Sequence, residues 1–323
     1  MNIILITPAA ARVRNGNRNT AYRWASFLRE QGHHVRVQVK WDGRPADLML
    51  ALHARRSHES IVRFASRWPL RPLIIVLTGT DLYRDIRTDR DAQESLQLAT
   101  RLVVLQEMGL AELPPELRAK TGVIHQSSPP IPPRPPLKTR FEVSVIGNLR
   151  EEKDPFRGAL AAALLPQESR IQVVQVGRAM SDGMAAQAQE LMRANRRYRW
   201  LGEQPHWRAR AILARSRLMV ISSRMEGGAN VVSEAFAARV PVVASAVSGN
   251  IGMLGNDYAG YYPYGDEEAL ARLLWRVESE PEFDQLLRAQ CAARRPLFQP
   301  EQEFNGLKRL LDEVGGSRAP AAG

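Results

Sequence analysis

The chain has 323 residues, 44% hydrophobic and 24% charged, and this ordinary globular composition predicts about two domains. Its single cysteine, Cys291, excludes an intramolecular disulfide and a thiolate metal cluster, and its six histidines lack metal-ligand spacing. The formal net charge is +11 and only five of the 45 basic residues are lysine, which favours an anionic substrate because arginine binds phosphates and carboxylates bidentately.

The high arginine content has other possible explanations besides an anionic substrate. Codon bias would scatter arginine over the surface, and a basic surface also suits nucleic acid or an anionic membrane face. The sequence has no nucleic-acid-binding signature, so we expect no nucleic-acid partner, and we expect no membrane partner. Residues 2–7 are too short for a signal peptide, and no stretch approaches the roughly 20 apolar residues of a spanning helix. We therefore expect a cytoplasmic protein.

Short apolar segments alternate with amphipathic ones in the first part of the chain. Each apolar segment is too short and too rich in β-branched residues for a helix, so we predict strands at 2–7, 35–39, 48–52, 73–77, 101–105 and 123–126. Trp24, Phe27 and Leu28 give residues 18–31 the single apolar face of a helix. The alternation predicts a doubly wound parallel sheet.

Three polar loops follow predicted strands of this first part. They are Arg14-Asn15-Gly16-Asn17-Arg18, His53-Ala54-Arg55-Arg56-Ser57 and Thr78-Gly79-Thr80-Asp81. Because parallel strands end at one edge of a sheet, we expect the loops to line one rim. The first loop lacks the G-x-G-x-x-G of a Rossmann dehydrogenase, although Asn, Gly and Arg at a helix start suit an anion. Simpler interpretations remain for each loop: a turn, a solvated basic helix start and an aspartate cap.

A proline-rich stretch divides the chain. Residues 129–136 are proline except for Ile131 and Arg134, and proline neither continues a helix nor donates to a sheet. Such a stretch is a stiff, extended linker. We predict a first domain at 1–130, the linker at 131–140, a second domain at 141–295, a helix at 296–314 that packs back on the first domain, and a disordered tail at 315–323.

The second part repeats the alternation. We predict strands at 142–146, 171–176, 198–201, 218–222 and 242–245, and helices near 156–164, 184–195, 206–214, 229–238 and 267–278. Asp266 is a candidate cap for the last helix. The predicted fold is therefore α/β, with two Rossmann-like domains that face each other across a cleft.

Two loops of the second part could bind a nucleotide. A strand ends at Gly147, where the missing side chain allows close approach of a ligand, and Arg150 and Lys153 follow as candidate ligands of a diphosphate. Alternatively, Glu151 and Glu152 neutralise both cations in a solvated loop. Gly202 and Glu203 close a later strand and could border a nucleotide base, or form an ordinary turn.

The most informative motif is a pair of glutamates, Glu226 and Glu234, on either side of Gly227-Gly228-Ala229-Asn230. A buried strand precedes the motif and a helix follows, so the turn would direct backbone N–H groups and a positive helix end at an anion. The carboxylates could accept hydrogen bonds from the hydroxyls of a sugar or ribose. The alternative is a solvated helix with surface glutamates, which the glycine pair directly after a buried strand disfavours.

This order of elements resembles the retaining GT-B glycosyltransferases that carry the E-x7-E motif, the glycosyltransferase family 4-like group. The strand-Gly-x-Leu loop of that family, with its basic residues, matches Gly147-Asn148-Leu149-Arg150 and Lys153. The chain departs from the family at Asn148, where an arginine is usual. It departs again at Thr78-Gly79-Thr80-Asp81, where many members carry a histidine.

Longer strings resemble one subfamily, the selenosugar synthases of selenoneine biosynthesis. They are Arg14–Arg18, Leu52–Ser57, Leu77–Tyr83, Arg199–Glu203 and Ser222–Glu234. The resemblance implies that UDP-N-acetylglucosamine or UDP-glucose donates its sugar to selenophosphate, with no cofactor and no metal. It also implies coupling to a supplier of selenophosphate and to the downstream selenoneine enzyme.

The resemblance also implies roles for residues. Glu226, Arg150 and Lys153 would be catalytic. The UDP-sugar would be bound by Gly16, Gly147, Arg150, Lys153, Gly202, Glu203, Glu226, Gly227, Gly228, Ala229, Asn230 and Glu234. Selenophosphate would be bound by Asn15, Asn17, Arg18, His53, Arg55, Thr78, Gly79, Thr80 and Asp81. Two alternatives stay open, a generic retaining UDP-sugar glycosyltransferase that acts on a sugar, lipid or small alcohol, and a non-catalytic nucleotide-sugar binding module.

Overall fold

The structure, a computed structural model, describes residues 1–8 and 16–316. Its strands are β1 (Asn2–Ile6), β2 (His34–Gln38), β3 (Leu48–Leu52), β4 (Leu73–Val76), β5 (Arg101–Val104), β6 (Thr121–Val123), β7 (Phe141–Ile146), β8 (Ile171–Val176), β9 (Tyr198–Trp200), β10 (Leu218–Ile221), β11 (Val242–Ser245) and β12 (Tyr261–Tyr262). Its α-helices are α1 (Gly16–Glu30), α2 (His58–Arg67), α3 (Ile86–Thr88), α4 (Arg90–Leu98), α5 (Pro115–Arg118), α6 (Arg157–Ala163), α7 (Asp182–Ala194), α8 (His206–Arg215), α9 (Asn230–Ala238), α10 (Ser248–Leu254), α11 (Glu267–Ser279), α12 (Pro281–Arg294) and α13 (Pro300–Gly316).

The contacts divide the chain into two compact units. Unit 1 contains the described residues up to Gln126, the short segment Glu226–Ala229 and the residues from Gln299 onward. Unit 2 contains Ser127–Met225 and Asn230–Phe298. Residues 124–137, which include the proline-rich stretch, form neither helix nor strand. Helix α13 extends to Gly316, and the predicted tail beyond it lies outside the described residues.

Unit 1 is built on a six-stranded parallel sheet in the order β2-β1-β3-β4-β5-β6. Successive side chains of β1 enter two separate apolar clusters, Ile4 and Ile6 in one and Ile3 and Leu5 in the other. Helices therefore cover both faces of the sheet, which explains why its central strands are continuously apolar.

Helix α13 packs on α1 within unit 1. Leu307, Leu310 and other apolar residues of α13 join Trp24 in one cluster. The buried Glu303 carboxylate accepts hydrogen bonds from Arg23 Nε (2.8 Å) and from Trp24 Nε1 (2.6 Å). A buried charge needs such partners, so the pair fixes how α13 sits on α1.

Unit 2 repeats the architecture, with a six-stranded parallel sheet in the order β12-β11-β10-β7-β8-β9. Its buried carboxylate, Glu142 on β7, accepts hydrogen bonds from Arg215 Nε (2.7 Å) and Arg140 Nη2 (2.8 Å). These two sheets with flanking helices confirm the predicted α/β class.

The structure differs from the sequence predictions at several elements. The sixth strand ends at Val123 instead of Gln126, and β12 is too short for any sequence pattern to reveal. Helices α3, α4, α5, α10 and α12 were not predicted. The predicted cap is confirmed, since the Asp266 carboxylate accepts a hydrogen bond from the Ala269 N–H at 2.8 Å.

Candidate active site

The strand order of each sheet reverses once, between β1 and β3 in unit 1 and between β7 and β10 in unit 2. Ligands of open α/β sheets bind at the carboxyl ends of the strands beside such a reversal. In unit 2, the loop after β7 contains Arg150 and Lys153, and the chain after β10 leads to Glu226. The strand order of unit 2 therefore points to the same loops as the sequence motifs. The loop after β1 includes Asn15, which lies outside the described residues.

Glycine ends three neighbouring strands of unit 2. Gly147, Gly177 and Gly202 follow β7, β8 and β9, and all three have positive φ. A Cβ added at Gly177 would lie 1.9 Å from the Gly147 carbonyl oxygen, whereas one at Gly147 would meet nothing within 4 Å. Packing therefore requires glycine at 177, whereas the space around Gly147 is open, and the ligand contact predicted for Gly147 stays a prediction.

The Gly147–Lys153 loop is attached to the end of β10. Ser222 donates its hydroxyl to the carbonyl oxygens of Lys153 (3.1 Å) and Asp154 (2.7 Å), and the Arg224 N–H donates to the Glu152 carbonyl (2.9 Å). Within unit 2, the two parts of the chain that flank the strand reversal therefore hold each other in place.

Arg150 is an exposed cation on this loop. Its guanidinium has no hydrogen-bond or ion-pair partner anywhere in residues 1–8 and 16–316. Glu151 and Glu152 therefore do not pair with Arg150 in the structure, which contradicts the alternative interpretation of this loop. Arg150 can pair with an anionic ligand without first losing a partner.

The Glu226–Ala229 segment belongs to unit 1 by its contacts. A Cβ added at Gly227 would lie 2.4 Å from the Thr78 carbonyl oxygen, and one at Gly228 would lie 2.5 Å from the Leu105 Cβ. Gly227 therefore allows close packing on the loop after β4, and Gly228 allows it on Leu105 directly after β5. The sequence did not reveal either reason for the glycine pair. Glu226 is buried, with 6% of its surface exposed, although it is a carboxylate.

Glu234 lies on α9, whose first residue is Asn230. Its Oε1 accepts a hydrogen bond of 2.8 Å from Nε2 of His206, the first residue of α8. Sequence analysis missed His206 because 28 residues separate the two and no local spacing links them.

In unit 1, Asp81 organises the loop after β4. Its Oδ1 accepts hydrogen bonds from the N–H groups of Thr78 and Gly79, both at 2.9 Å, and its Oδ2 accepts one from Ala54 at 3.1 Å. The carboxylate is fully buried. The Asp81 carboxylate accepts hydrogen bonds from both the loop after β3 and the loop after β4, so it holds these two loops together.

His53 connects the same loops. The Arg56 N–H donates to His53 Nδ1 (3.3 Å), so the proton resides on Nε2, which lies 3.1 Å from Thr80 Oγ1. Burial lowers the pKa of His53 despite the nearby Asp81 carboxylate, so the ring is neutral at physiological pH. The residue also has a φ of 72°, a left-handed conformation that is uncommon for histidine.

Arg55 is paired within unit 1. Its Nε donates to Asp85 Oδ2 at 2.8 Å, and Arg84 Nε donates to Asp85 Oδ1 at 3.0 Å. The hydrogen bond to Asp85 raises the pKa of Arg55. Burial acts to raise the pKa of Asp85, but the two arginine hydrogen bonds outweigh it and the pKa is lowered. Both charges persist throughout the physiological pH range.

The other predicted site residues lie in varied local environments. Gly16 and Asn17 begin α1, and the Arg18 guanidinium lies 5.1 Å from the centre of the Tyr22 ring. Glu203 is exposed, and Ala229 is buried. No three His, Cys, Asp or Glu side chains among the described residues are grouped to hold a metal ion. Within the same residues, no helix is long and apolar enough to cross a membrane.

Comparison with known proteins identifies the family. The model of the glycosyl transferases group 1 family matches residues 131–294, just over half of the chain, and the chain belongs to this family. It is therefore a glycosyltransferase. No curated protein matches the chain in sequence.

Solved structures match over the whole fold. Anabaena HepE, in complex with UDP and glucose, covers 97% of this chain and 100% of its own, with a TM-score of 0.75 and 16% identity. Sucrose-phosphate synthase from Thermosynechococcus elongatus covers 98% and 99%, with a TM-score of 0.76 and 17% identity. The α,α-trehalose 6-phosphate synthase from Burkholderia multivorans covers 96% and 79%, with a TM-score of 0.72 and 14% identity. The fold is thus GT-B, as predicted.

Proposed function

We propose that this glycosyltransferase uses a UDP-sugar as donor and selenophosphate as acceptor, and that it forms the carbon–selenium bond of a selenosugar. The use of a UDP-sugar donor is supported by Arg150, which has no partner among the described residues. Arg150 lies on the loop that begins at Gly147, beside the strand reversal of unit 2. UDP or UDP-glucose is present in the Anabaena HepE structures, which share the fold. The acceptor half is supported by the sequence strings that resemble those of selenosugar synthases.

The donor diphosphate would bind Arg150, Lys153 and the N-terminus of α9. Cations and backbone N–H groups there would stabilise the charge that develops on departing UDP. Glu234 would accept hydrogen bonds from the ribose hydroxyls and Glu226 from the sugar hydroxyls, since ionised carboxylates are acceptors only. Metal assistance is not part of this proposal.

The reaction would proceed in two steps. A selenium electron pair forms the bond to the anomeric carbon while the bond from that carbon to the UDP oxygen breaks, and UDP leaves with those electrons. Water then cleaves the selenium–phosphorus bond and releases phosphate. Selenium is a strong nucleophile without a protein base. This agrees with a His53 whose two ring nitrogens are both engaged by Arg56 and Thr80, and with no histidine in the loop after β4.

The test is anaerobic mass spectrometry of the purified protein with selenophosphate and either UDP-N-acetylglucosamine or UDP-glucose. We expect UDP, phosphate and a product that carries the selenium isotope pattern at the selenosugar mass. Glu226→Gln, which keeps the side-chain size, serves as the inactive control. Donor consumption without a selenium product would instead support a glycosyltransferase whose acceptor is a sugar, lipid or alcohol. Binding of UDP without any turnover would support the binding-module alternative.

A further inference from the structure

The hydrogen bond between His206 and Glu234 joins α8 to α9 outside the apolar core of unit 2. His206 is the first residue of α8, 60% of its side chain is exposed, and Pro205 occupies the capping position before it. An exposed histidine contributes little to the core, and across the described part of the chain Glu234 Oε1 accepts no second hydrogen bond. The contact fixes the position of the Glu234 carboxylate, on the fifth residue of α9.

One oxygen of the Glu234 carboxylate, Oε2, remains available to a ligand. An ionised carboxylate only accepts, so His206 donates Nε2–H to Oε1. Within residues 1–8 and 16–316, Oε2 has no hydrogen-bond partner. The Glu234 side chain is 17% exposed, so Oε2 can be reached. A carboxylate with one oxygen held and the other able to accept suits a hydroxyl-bearing ligand.

We propose that His206 is a positioning residue for Glu234 and sets the preference of the site for a ribonucleotide. This inference rests on the proposed binding of UDP, in which Glu234 accepts hydrogen bonds from the ribose hydroxyls. A glutamate side chain has three rotatable bonds, and fixing it before the ligand arrives removes part of the entropy cost of binding. Without His206, Glu234 samples rotamers that do not meet the ribose.

The experiment measures the affinity of the full chain for UDP and for 2′,3′-dideoxy-UDP by titration calorimetry. We expect His206→Ala to weaken UDP binding about three- to tenfold, the size of one hydrogen bond. Binding of dideoxy-UDP should stay unchanged, since that ligand has no hydroxyls for Glu234. His206→Gln, which places an N–H donor at a similar reach, should restore most of the UDP affinity. Arg208→Ala, an exposed change on the same helix, should affect neither ligand.

A double variant provides a second readout. In a Glu234→Ala background, His206→Ala should cause no further loss of UDP affinity, because the two residues act through one hydrogen bond. Equal weakening of both ligands by His206→Ala would overturn the inference, and so would unchanged binding of both. Failure of the unmodified protein to bind UDP would instead overturn the proposed function on which the inference rests.

Discussion

The polar loops of the two units differ in how their charged groups are satisfied. In unit 1, Asp81 accepts three backbone hydrogen bonds, Arg55 is paired with Asp85, and His53 is neutral and bonded to Thr80. In unit 2, Arg150 has no partner among the described residues. Buried groups that satisfy one another stabilise a loop, whereas an unpaired exposed cation stabilises nothing until an anion binds.

The comparison therefore predicts different consequences of mutation. Loss of a buried side chain from the described loops of unit 1 should act mainly on stability. Changes in the loop after β7, and at Arg55, whose side chain is 36% exposed, should act mainly on substrate binding. Glu226 is the exception, because its segment packs in unit 1 while its proposed partner is the donor sugar.

The largest expected effect is that of Glu226→Gln. We expect kcat/KM to fall by about 100-fold or more, because a neutral amide replaces a buried carboxylate that would accept hydrogen bonds from the donor sugar in the transition state. The melting temperature should change little, and Glu190→Gln, an exposed change on α7, should leave turnover intact. Near-normal kcat/KM for Glu226→Gln would contradict the donor-site assignment.

Asp81→Asn should destabilise the protein by about 2–3 kcal/mol, since an amide offers one acceptor oxygen where three N–H donors converge. Urea unfolding measures the change. Asp91→Asn, whose side chain is 64% exposed, is the matched control and should be near neutral. If Asp81→Asn were equally neutral, the loop would not depend on this carboxylate.

Arg150→Ala should weaken UDP binding about tenfold, the effect of one charge-assisted contact, without altering unfolding. Calorimetric titration with UDP measures the affinity, and Arg193→Ala, another arginine of unit 2, controls for net charge. Unchanged affinity would place the diphosphate elsewhere.

The smallest expected effect is that of Arg55→Ala. We expect the KM for the proposed acceptor, selenophosphate, to rise about threefold, because Arg55 is partly committed to Asp85 and its charge is screened by solvent. The KM for the UDP-sugar should change less. Steady-state kinetics with each substrate varied in turn separates the two, and an equal rise in both would indicate that Arg55 has a structural role only.

The sequence alone determined most of the fold and the loops of the candidate site. Apolar strands, amphipathic helices and their alternation are local patterns, so the parallel sheets and the glycine after β7 could be predicted. The two-residue β12 could not, because it carries no periodicity, and α10 went unrecognised within the Gly-containing stretch Ser248–Leu254.

Only the tertiary structure decided which polar groups meet. Asp81 reaches Ala54 across 27 positions and His206 reaches Glu234 across 28, distances at which no spacing rule operates. The close approach of Gly227 to Thr78 likewise depends on packing between segments far apart in the chain. Local propensity specifies strands, helices and turns, whereas the partner of a buried charge is decided by the three-dimensional packing of distant segments.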